Sequence, residues 1–272
     1  MTDTPRLVAT DLDGTLLDSQ GRVSVRTRAV LDELDAAGVP VVFTTGRPIR
    51  WMEELWEAVG GHGLAICSNG GIVYDVARRE VRDYHAVPRE VGLSIAEQVR
   101  AAVPGTSFAI EHLAGWTSEV GFPSHADDRS SARTQGDYSE IYRDDVVKIL
   151  AVHRELDPEE FWERVEAAVG TEVVTTWSSS FALVEISAAG VTKATTLAMV
   201  AAEMGLGPED VVAFGDMPND LPMLEWAGTS YAMANAHPSV QDLADHLAPH
   251  HDDDGVAAVL ADLFGLSSGP SR

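Results

Sequence analysis

The sequence predicts an α/β fold, a parallel-sheet core interrupted by a smaller inserted α+β module, and three observations lead there. Short apolar runs alternate with helical stripes up to about residue 70, and the same alternation resumes after about residue 187. Between those stretches the texture changes to longer strand-prone runs separated by two helices. The length of 272 residues is a little under two domains of about 150 residues each. The expected organisation is a core from 1–83, an insert from 84–186 and the rest of the core from 187–272.

The elements follow in order. Leu7 to Thr10 is a short apolar run stopped by acids, as a buried parallel strand would be. Ser24 has the chemistry of a helix N-cap, Val30, Leu31 and Leu34 share one helical face, and Gly38 is the stop. Val39 to Phe43 reads as a second buried strand. Pro48 is tolerated at a helix start, and Met52, Leu55, Trp56 and Val59 form the next buried stripe. Leu64 to Cys67 is a third strand, closed by the turn residues Ser68-Asn69-Gly70-Gly71.

In the insert, helices are expected at Glu90 to Val103 and Pro158 to Val169. Strands are expected at Ser107 to Ile110, Val146 to Val152, Val173 to Trp177 and Phe181 to Ile186, the last two joined by a hairpin at Ser178-Ser179-Ser180. Gly115 to Arg143 reads as loop. Beyond it come a helix from Thr192 to Met204, a fourth core strand from Val211 to Phe214 and a short helix from Leu221 to Trp226. A strand from Ser230 to Met233, helices from Ser239 to His246 and Val256 to Phe264, and a frayed polar tail from Ser267 complete the chain.

Composition narrows the class of function. Apolar residues at 45% and charged residues at 23% are ordinary globular values. No stretch approaches the ~18 uncharged apolar residues of a membrane span, so no membrane partner is expected. The N-terminal Met1-Thr2-Asp3-Thr4-Pro5 lacks the basic-then-apolar order of a signal peptide, and Cys67 is the single cysteine, which excludes an internal disulfide. A cytoplasmic location is the expectation. With 19 basic against 43 acidic side chains the formal net charge is −24. Such a field repels DNA and RNA, whose affinity for proteins rests on Lys and Arg meeting phosphates.

Four clusters carry chemistry, three at core strand ends and one at a helix start. Asp11 and Asp13 lie one residue apart where the chain leaves the first strand, and Gly14 permits the turn. Two acids so close call for a cation between them, although an acidic turn with a helix cap has the same letters. Thr44-Thr45-Gly46-Arg47 supplies hydroxyls, backbone N–H groups and a forked cation, the parts of an oxyanion cradle, or a plain strand-to-helix turn. Lys193 stands at a helix start, where the dipole already favours an anion; alone, it reads first as a solvated surface lysine. Gly215-Asp216-Met217-Pro218-Asn219-Asp220 follows the fourth core strand, placing Asp216 at a strand end, or is an acidic loop with an N-cap. His250-His251 beside three aspartates reads as a solvated acidic loop, and Cys67 as a small apolar strand residue. Trp116, Trp177 and Phe181 serve either a substrate face or core packing.

In that joint order these residues resemble the haloacid dehalogenase superfamily of phosphotransferases. Asp11-Leu12-Asp13-Gly14-Thr15-Leu16-Leu17 is similar to its first motif, Thr45-Gly46-Arg47 to its second, Lys193 to its third, and Gly215-Asp216 with Asn219-Asp220 to its fourth. The insert, Ser68-Asn69-Gly70 and Asn235-Ala236-His237-Pro238 resemble the Cof-like branch with a type IIB α/β cap. The likeness covers nearly the whole chain, the cap matching only in layout. Ala194, Ala234 and His251 depart from that branch, where Gly, Gly and Asn are usual.

The resemblance implies a Rossmann-like core with the first strand between the second and fourth, so that all the strand-end clusters face one crevice. It implies a phosphomonoester hydrolase for small phosphorylated metabolites, sugar phosphates first among them. Asp11 would attack phosphorus to form an aspartyl phosphate. Mg²⁺ would be held by Asp11, the Asp13 carbonyl and Asp216. Asp13 would serve as acid and then base. Gly14, Thr45, Gly46, Arg47, Lys193 and Asn219 would contact substrate, with Asp220 orienting the shell. A phosphomutase on the same fold and a non-catalytic metabolite-binding regulator are the alternatives. A monomer or weak homodimer is expected.

Overall fold

The computed structural model describes residues 4–123, 134–177 and 181–266. The chain divides into two compact units, 1–83 with 193–272, and 84–192.

The first unit opens with β1 (Leu7–Asp11), buried along its whole length. Apolar runs of this kind suit a strand covered on both faces. Helix α1 (Val25–Ala36) starts at Ser24, whose side chain accepts from the Thr27 N–H at 3.0 Å, and it buries Val30, Leu31 and Leu34. Next come β2 (Val41–Thr44), α2 (Glu53–Ala58) and β3 (Leu64–Cys67). Met52, Leu55, Trp56 and Val59 are buried, with Trp56 stacked on Tyr74 at 5.4 Å. Two further strands, β4 (Ile72–Asp75) and β5 (Glu80–Tyr84), extend the sheet.

The second unit contains α3 (Arg89–Ala102), β6 (Ser107–His112), β7 (Gly115–Glu119), β8 (Thr134–Gly136), α4 (Tyr138–Ile141), β9 (Val146–Val152), α5 (Pro158–Val169), β10 (Val173–Thr176) and β11 (Leu183–Ala188). Its six strands run in the order β10-β11-β9-β6-β7-β8. Ile95 and Val99 of α3 and Phe161 and Val165 of α5 pack into one core with Phe108, Ile110, Ile149, Val184 and Ile186. Side chains alternate along a strand, so Lys148, next to Ile149, points to the other face. There it is buried with its Nζ 2.5 Å from Glu185 and 3.2 Å from Glu111, its register partner on β6.

The chain re-enters the first unit with α6 (Lys193–Glu203), β12 (Val211–Gly215), α7 (Leu221–Trp226), β13 (Thr229–Met233), α8 (Pro238–Leu243), β14 (His246–Ala248) and α9 (Gly255–Phe264). The eight-stranded order is β14-β13-β12-β1-β2-β3-β4-β5. From β14 to β3 every neighbouring pair is parallel, and β4 turns back antiparallel to β3. This is the α/β class the sequence predicts. β1 lies between β2 and β12, where the chain order reverses, and a parallel sheet opens a crevice beyond its carboxyl ends at such a point. Among the described residues no helix is long and apolar enough to cross a membrane.

Two expectations are corrected, and one hairpin goes beyond them. The hairpin of β4 and β5 leaves little pattern in the sequence: β4 is only four residues long, and β5 is an edge strand exposed at every position. Charged edge strands carry no apolar alternation to read. The stretch from Gly115 to Arg143 is not all loop, since β7 pairs with β6 across a tight turn and β8 and α4 follow. The helix expected from Ser239 to His246 ends at Leu243, and β14 begins at His246. Asp245 accepts from both the backbone N–H and the hydroxyl of Ser230, each at 2.9 Å, which draws the chain alongside β13. The hairpin residues Ser178-Ser179-Ser180 and the tail from Ser267 lie outside the described residues.

Candidate active site

β1 delivers Asp11 at its last residue, β12 leads directly into Asp216, and α6 begins with Lys193. All three are buried, as is Asp220 just before α7. The Lys193 Nζ donates to Asp11 Oδ1 at 2.6 Å and to Asp220 Oδ1 at 2.7 Å. The other oxygen of Asp220 accepts from the backbone N–H groups of Asp216 and Met217 at 3.0 and 3.1 Å. Asp220 is therefore spent on holding the lysine and the β12 loop. Thr15 donates its hydroxyl to Asp216 Oδ1 at 3.0 Å.

Charge in this cluster is unbalanced. Asp11, Asp216 and Asp220 each bring an oxygen within 4.8 Å of the others, with one lysine among them. Burial pushes the Asp11 carboxyl well above its ordinary range; Lys193 pulls against this, and Asp220 and Asp216 add to it. Burial followed by Asp220 pushes Asp216 up to about 7, with the Thr15 hydrogen bond opposing. Burial disfavours the charge on Lys193, but Asp11 and Asp220 outweigh it and hold the ammonium above its usual value. Lys193 is thus charged, and three carboxyl groups crowd around that one cation. A hard divalent cation suits this all-oxygen set, and Asp11 and Asp216, whose carboxylates are less committed than that of Asp220, are the residues that fit it.

Gly14 serves the turn directly after the two first-loop acids. Its φ is +74°, and a Cβ there would lie 2.3 Å from Asp216 Oδ2, so a side chain would collide with the carboxylate cluster. Gly46 is similarly close to the Asn69 side chain, with 3.1 Å from a Cβ to Oδ1. Thr45 is fully buried, its N–H bonded to the Ile66 carbonyl at 2.8 Å and its hydroxyl accepting from the Arg47 N–H at 3.0 Å. Asp13 stands apart from Lys193 in its bonding: Arg47 grips it, Nε to Oδ2 at 2.7 Å and Nη2 to Oδ1. The Asn219 amide donates to Asn69 Oδ1 at 3.3 Å.

The structure gives roles to residues that the motifs name without one. Thr15 belongs to the first motif, but only the fold shows which carboxylate it holds. Ser68 and Asn69 both have positive φ, +52° and +57°, and such strain in non-glycine residues costs about 1 kcal/mol or more each. Their N–H groups bond the Arg47 and Thr45 carbonyls at 3.0 Å, tying the β3 loop to the β2 loop. A buried Ser-Asn-Gly at a strand end was the available signal. Asn235 donates to the Gly14 carbonyl at 2.7 Å and accepts from the His251 N–H at 3.1 Å. The His251 Nδ1 lies 2.7 Å from the Leu17 carbonyl; since a carbonyl only accepts, that nitrogen carries the proton. His251 thus pins the end of the first-motif loop.

Residues 8–260 match the model of the haloacid dehalogenase-like hydrolase family. The chain is 29% identical over 272 residues to the 5-amino-6-(5-phospho-D-ribitylamino)uracil phosphatase YitU of Bacillus subtilis (strain 168), covering 96% of this chain and 98% of that one. It is 30% identical over 257 residues to the phosphoglycolate phosphatase of Halorubrum lacusprofundi, covering 94% and 96%. The crystal structure of a haloacid dehalogenase-like hydrolase from Bacteroides thetaiotaomicron superposes with a TM-score of 0.79 at 26% identity, covering 96% of this chain and 100% of that one. With strand order, site and sequence in agreement, the chain belongs to the haloacid dehalogenase-like hydrolase family.

Proposed function

We propose that the chain is a Mg²⁺-dependent phosphomonoester hydrolase for small phosphorylated metabolites, sugar phosphates first among them, acting through an aspartyl phosphate on Asp11. The observation that carries this reading is the buried Asp11–Lys193–Asp220 arrangement with Asp216 beside it, a strand-end carboxyl held next to a fixed cation with further carboxyls around it. The two relatives named above are phosphatases of quite different molecules, a phosphoribitylamino-uracil and phosphoglycolate. Their shared feature is the phosphomonoester, which supports the reaction class.

Asp11 attacks phosphorus, its oxygen forming the new P–O bond as the bond to the leaving oxygen breaks. Asp13 gives its proton to that oxygen, so the product leaves as an alcohol. Water then attacks the aspartyl phosphate, passes a proton to Asp13 and releases inorganic phosphate, which restores both carboxyl groups. Splitting the displacement makes each step easier than direct hydrolysis. Lys193 and Thr45 hold phosphoryl oxygens, where charge spreads in the transition state. Mg²⁺ held by Asp11, the Asp13 carbonyl and Asp216 would offset the negative charge that a carboxylate and a phosphate bring together. The unit from 84–192 serves as the cap that selects the leaving group.

The test is hydrolysis of a panel of phosphorylated metabolites, before and after chelation. Activity should vanish on chelation and return with Mg²⁺, while Ca²⁺, with its longer bonds and higher coordination, should inhibit. Sugar phosphates should rank highest by kcat/KM. Full turnover without any divalent ion would overturn the metal-dependent reading.

A further inference from the structure

Arg47 closes a two-pronged grip on Asp13. Its Nε donates to Oδ2 at 2.7 Å and its Nη2 to Oδ1, so both oxygens of one carboxyl are held by one planar fork. Such a pair fixes the plane and the direction of the carboxyl, which a single point charge does not. The grip matters because the Asp13 side chain is 55% exposed, and an exposed aspartate otherwise samples several rotamers.

Arg47 is in turn braced. Its N–H donates to the Thr45 hydroxyl at 3.0 Å, and its carbonyl accepts from the Ser68 N–H at 3.0 Å. Ser68 and Asn69 hold the positive φ angles noted above, and Asn69 bonds the Thr45 carbonyl. A strained backbone persists where the surroundings over-determine it. The brace therefore runs from the β3 loop through the β2 loop to the guanidinium, and ends on Asp13.

We propose that Arg47 is a positioning residue that aims the Asp13 carboxyl, rather than a contact to the leaving group. This rests on the assignment of Asp13 as acid and base made under Proposed function. Its consequence is selective: substrates whose leaving oxygen needs a proton depend on the aim of Asp13, and substrates with a good leaving group depend on it much less.

The experiment measures kcat/KM over a series from alkyl phosphates to nitrophenyl phosphates for the wild type, Arg47→Ala, Arg47→Lys, Asp13→Asn and the double variant. This ratio reports the steps through departure of the alcohol. Arg47→Ala should lower it for alkyl phosphates about 10- to 100-fold more than for nitrophenyl phosphates, part of the roughly 10²–10⁴ that a general acid supplies. Arg47→Lys should recover only a fraction, because it cannot hold both oxygens. Added guanidinium ion should restore the alkyl activity of Arg47→Ala. Asp13→Asn should show the same steepening, and adding Arg47→Ala to it should cost little more.

A uniform loss across the series would mean that Arg47 binds substrate, and would overturn the inference. Steepening in Asp13→Asn without steepening in Arg47→Ala would also overturn it, while leaving the reaction intact. Absence of steepening in Asp13→Asn would remove the acid role itself, and the inference with it.

Discussion

Two lysines in this molecule are buried in the same way and sit in different places. Lys193 lies between Asp11 and Asp220 in the first unit; Lys148 lies between Glu111 and Glu185 in the second. Burial works against the charge on both, and the flanking carboxylates outweigh it in both. The difference is in what surrounds the triplet. Lys148 is mid-strand on β9, with a glutamate from the strand on either side. Lys193 opens α6 beside strand ends, with Asp216 as a further carboxylate, and two acids there are pushed up. A buried ion pair alone is weak evidence of function, since it serves as readily to fix register. A surplus of like charge concentrated at strand ends is stronger evidence, because folding alone does not reward it.

The largest effects should come from removing each lysine. Lys193→Met should lower kcat/KM roughly 10³-fold, as loss of a group facing transition-state charge does. Lys148→Met should instead cost about 3–5 kcal/mol of folding stability by removing the buried cation that lies between Glu111 and Glu185, with nitrophenyl phosphate hydrolysis per folded molecule little changed. Replacing Lys148, Glu111 and Glu185 together by apolar residues of similar volume should recover most of that stability. Chemical denaturation and active-site-normalised kinetics separate the two outcomes. A Lys148→Met protein of undiminished stability and lost turnover would erase the contrast.

A smaller effect follows from the pushed-up acids. Asp216 sits at about 7 in the fold, against about 3.9 in an unfolded chain. Between those values the native state keeps a proton that the unfolded state releases. Without a cation, stability therefore falls as pH rises from about 4 through 7 and levels off above. A divalent ion replaces the proton and relieves the cost. The gain in Tm on adding Mg²⁺ should be about 5 °C larger at pH 8 than at pH 5. Equal gains at both pH values would show that the crowded carboxylates do not take up the ion.

What the sequence disclosed follows the same division. In the first unit, β1, β2, β3 and β12 are apolar runs between sharp stops, and the acids and the threonine at their ends, with the lysine that opens α6, are legible because each needs its residue type. The β4–β5 hairpin was not, since β5, exposed at every position, has no buried face to leave a pattern. In the second unit β9 and α5 were readable at full length, whereas β7 was hidden by its Gly and Ser content. Lys148 gave no signal at all, because its partners lie 37 residues either way and only strand register joins them. The Arg47–Asp13 grip was equally out of reach of spacing alone.

Two hydroxyls sharpen the comparison at the smallest scale. Thr15 is buried and donates to Asp216 Oδ1 at 3.0 Å. The Ser187 hydroxyl, on β11, is buried with no hydrogen-bond partner among the described residues. Thr15→Val keeps the shape and removes the donor. Groups that orient a metal's carboxylate affect affinity by about 10- to 100-fold, so the Mg²⁺ concentration for half-maximal activity should rise about 10-fold, with kcat nearly unchanged at saturation. Losing that bond also removes an influence that lowers the Asp216 value, so activation by Mg²⁺ should shift to higher pH. Ser187→Ala deletes a hydroxyl that makes no such bond, and relieving an unsatisfied buried group is neutral or mildly stabilising. Its Mg²⁺ titration should overlay that of the wild type. An equal rise in both variants would mean that the metal response senses general packing, and that Thr15 has no special hold on Asp216.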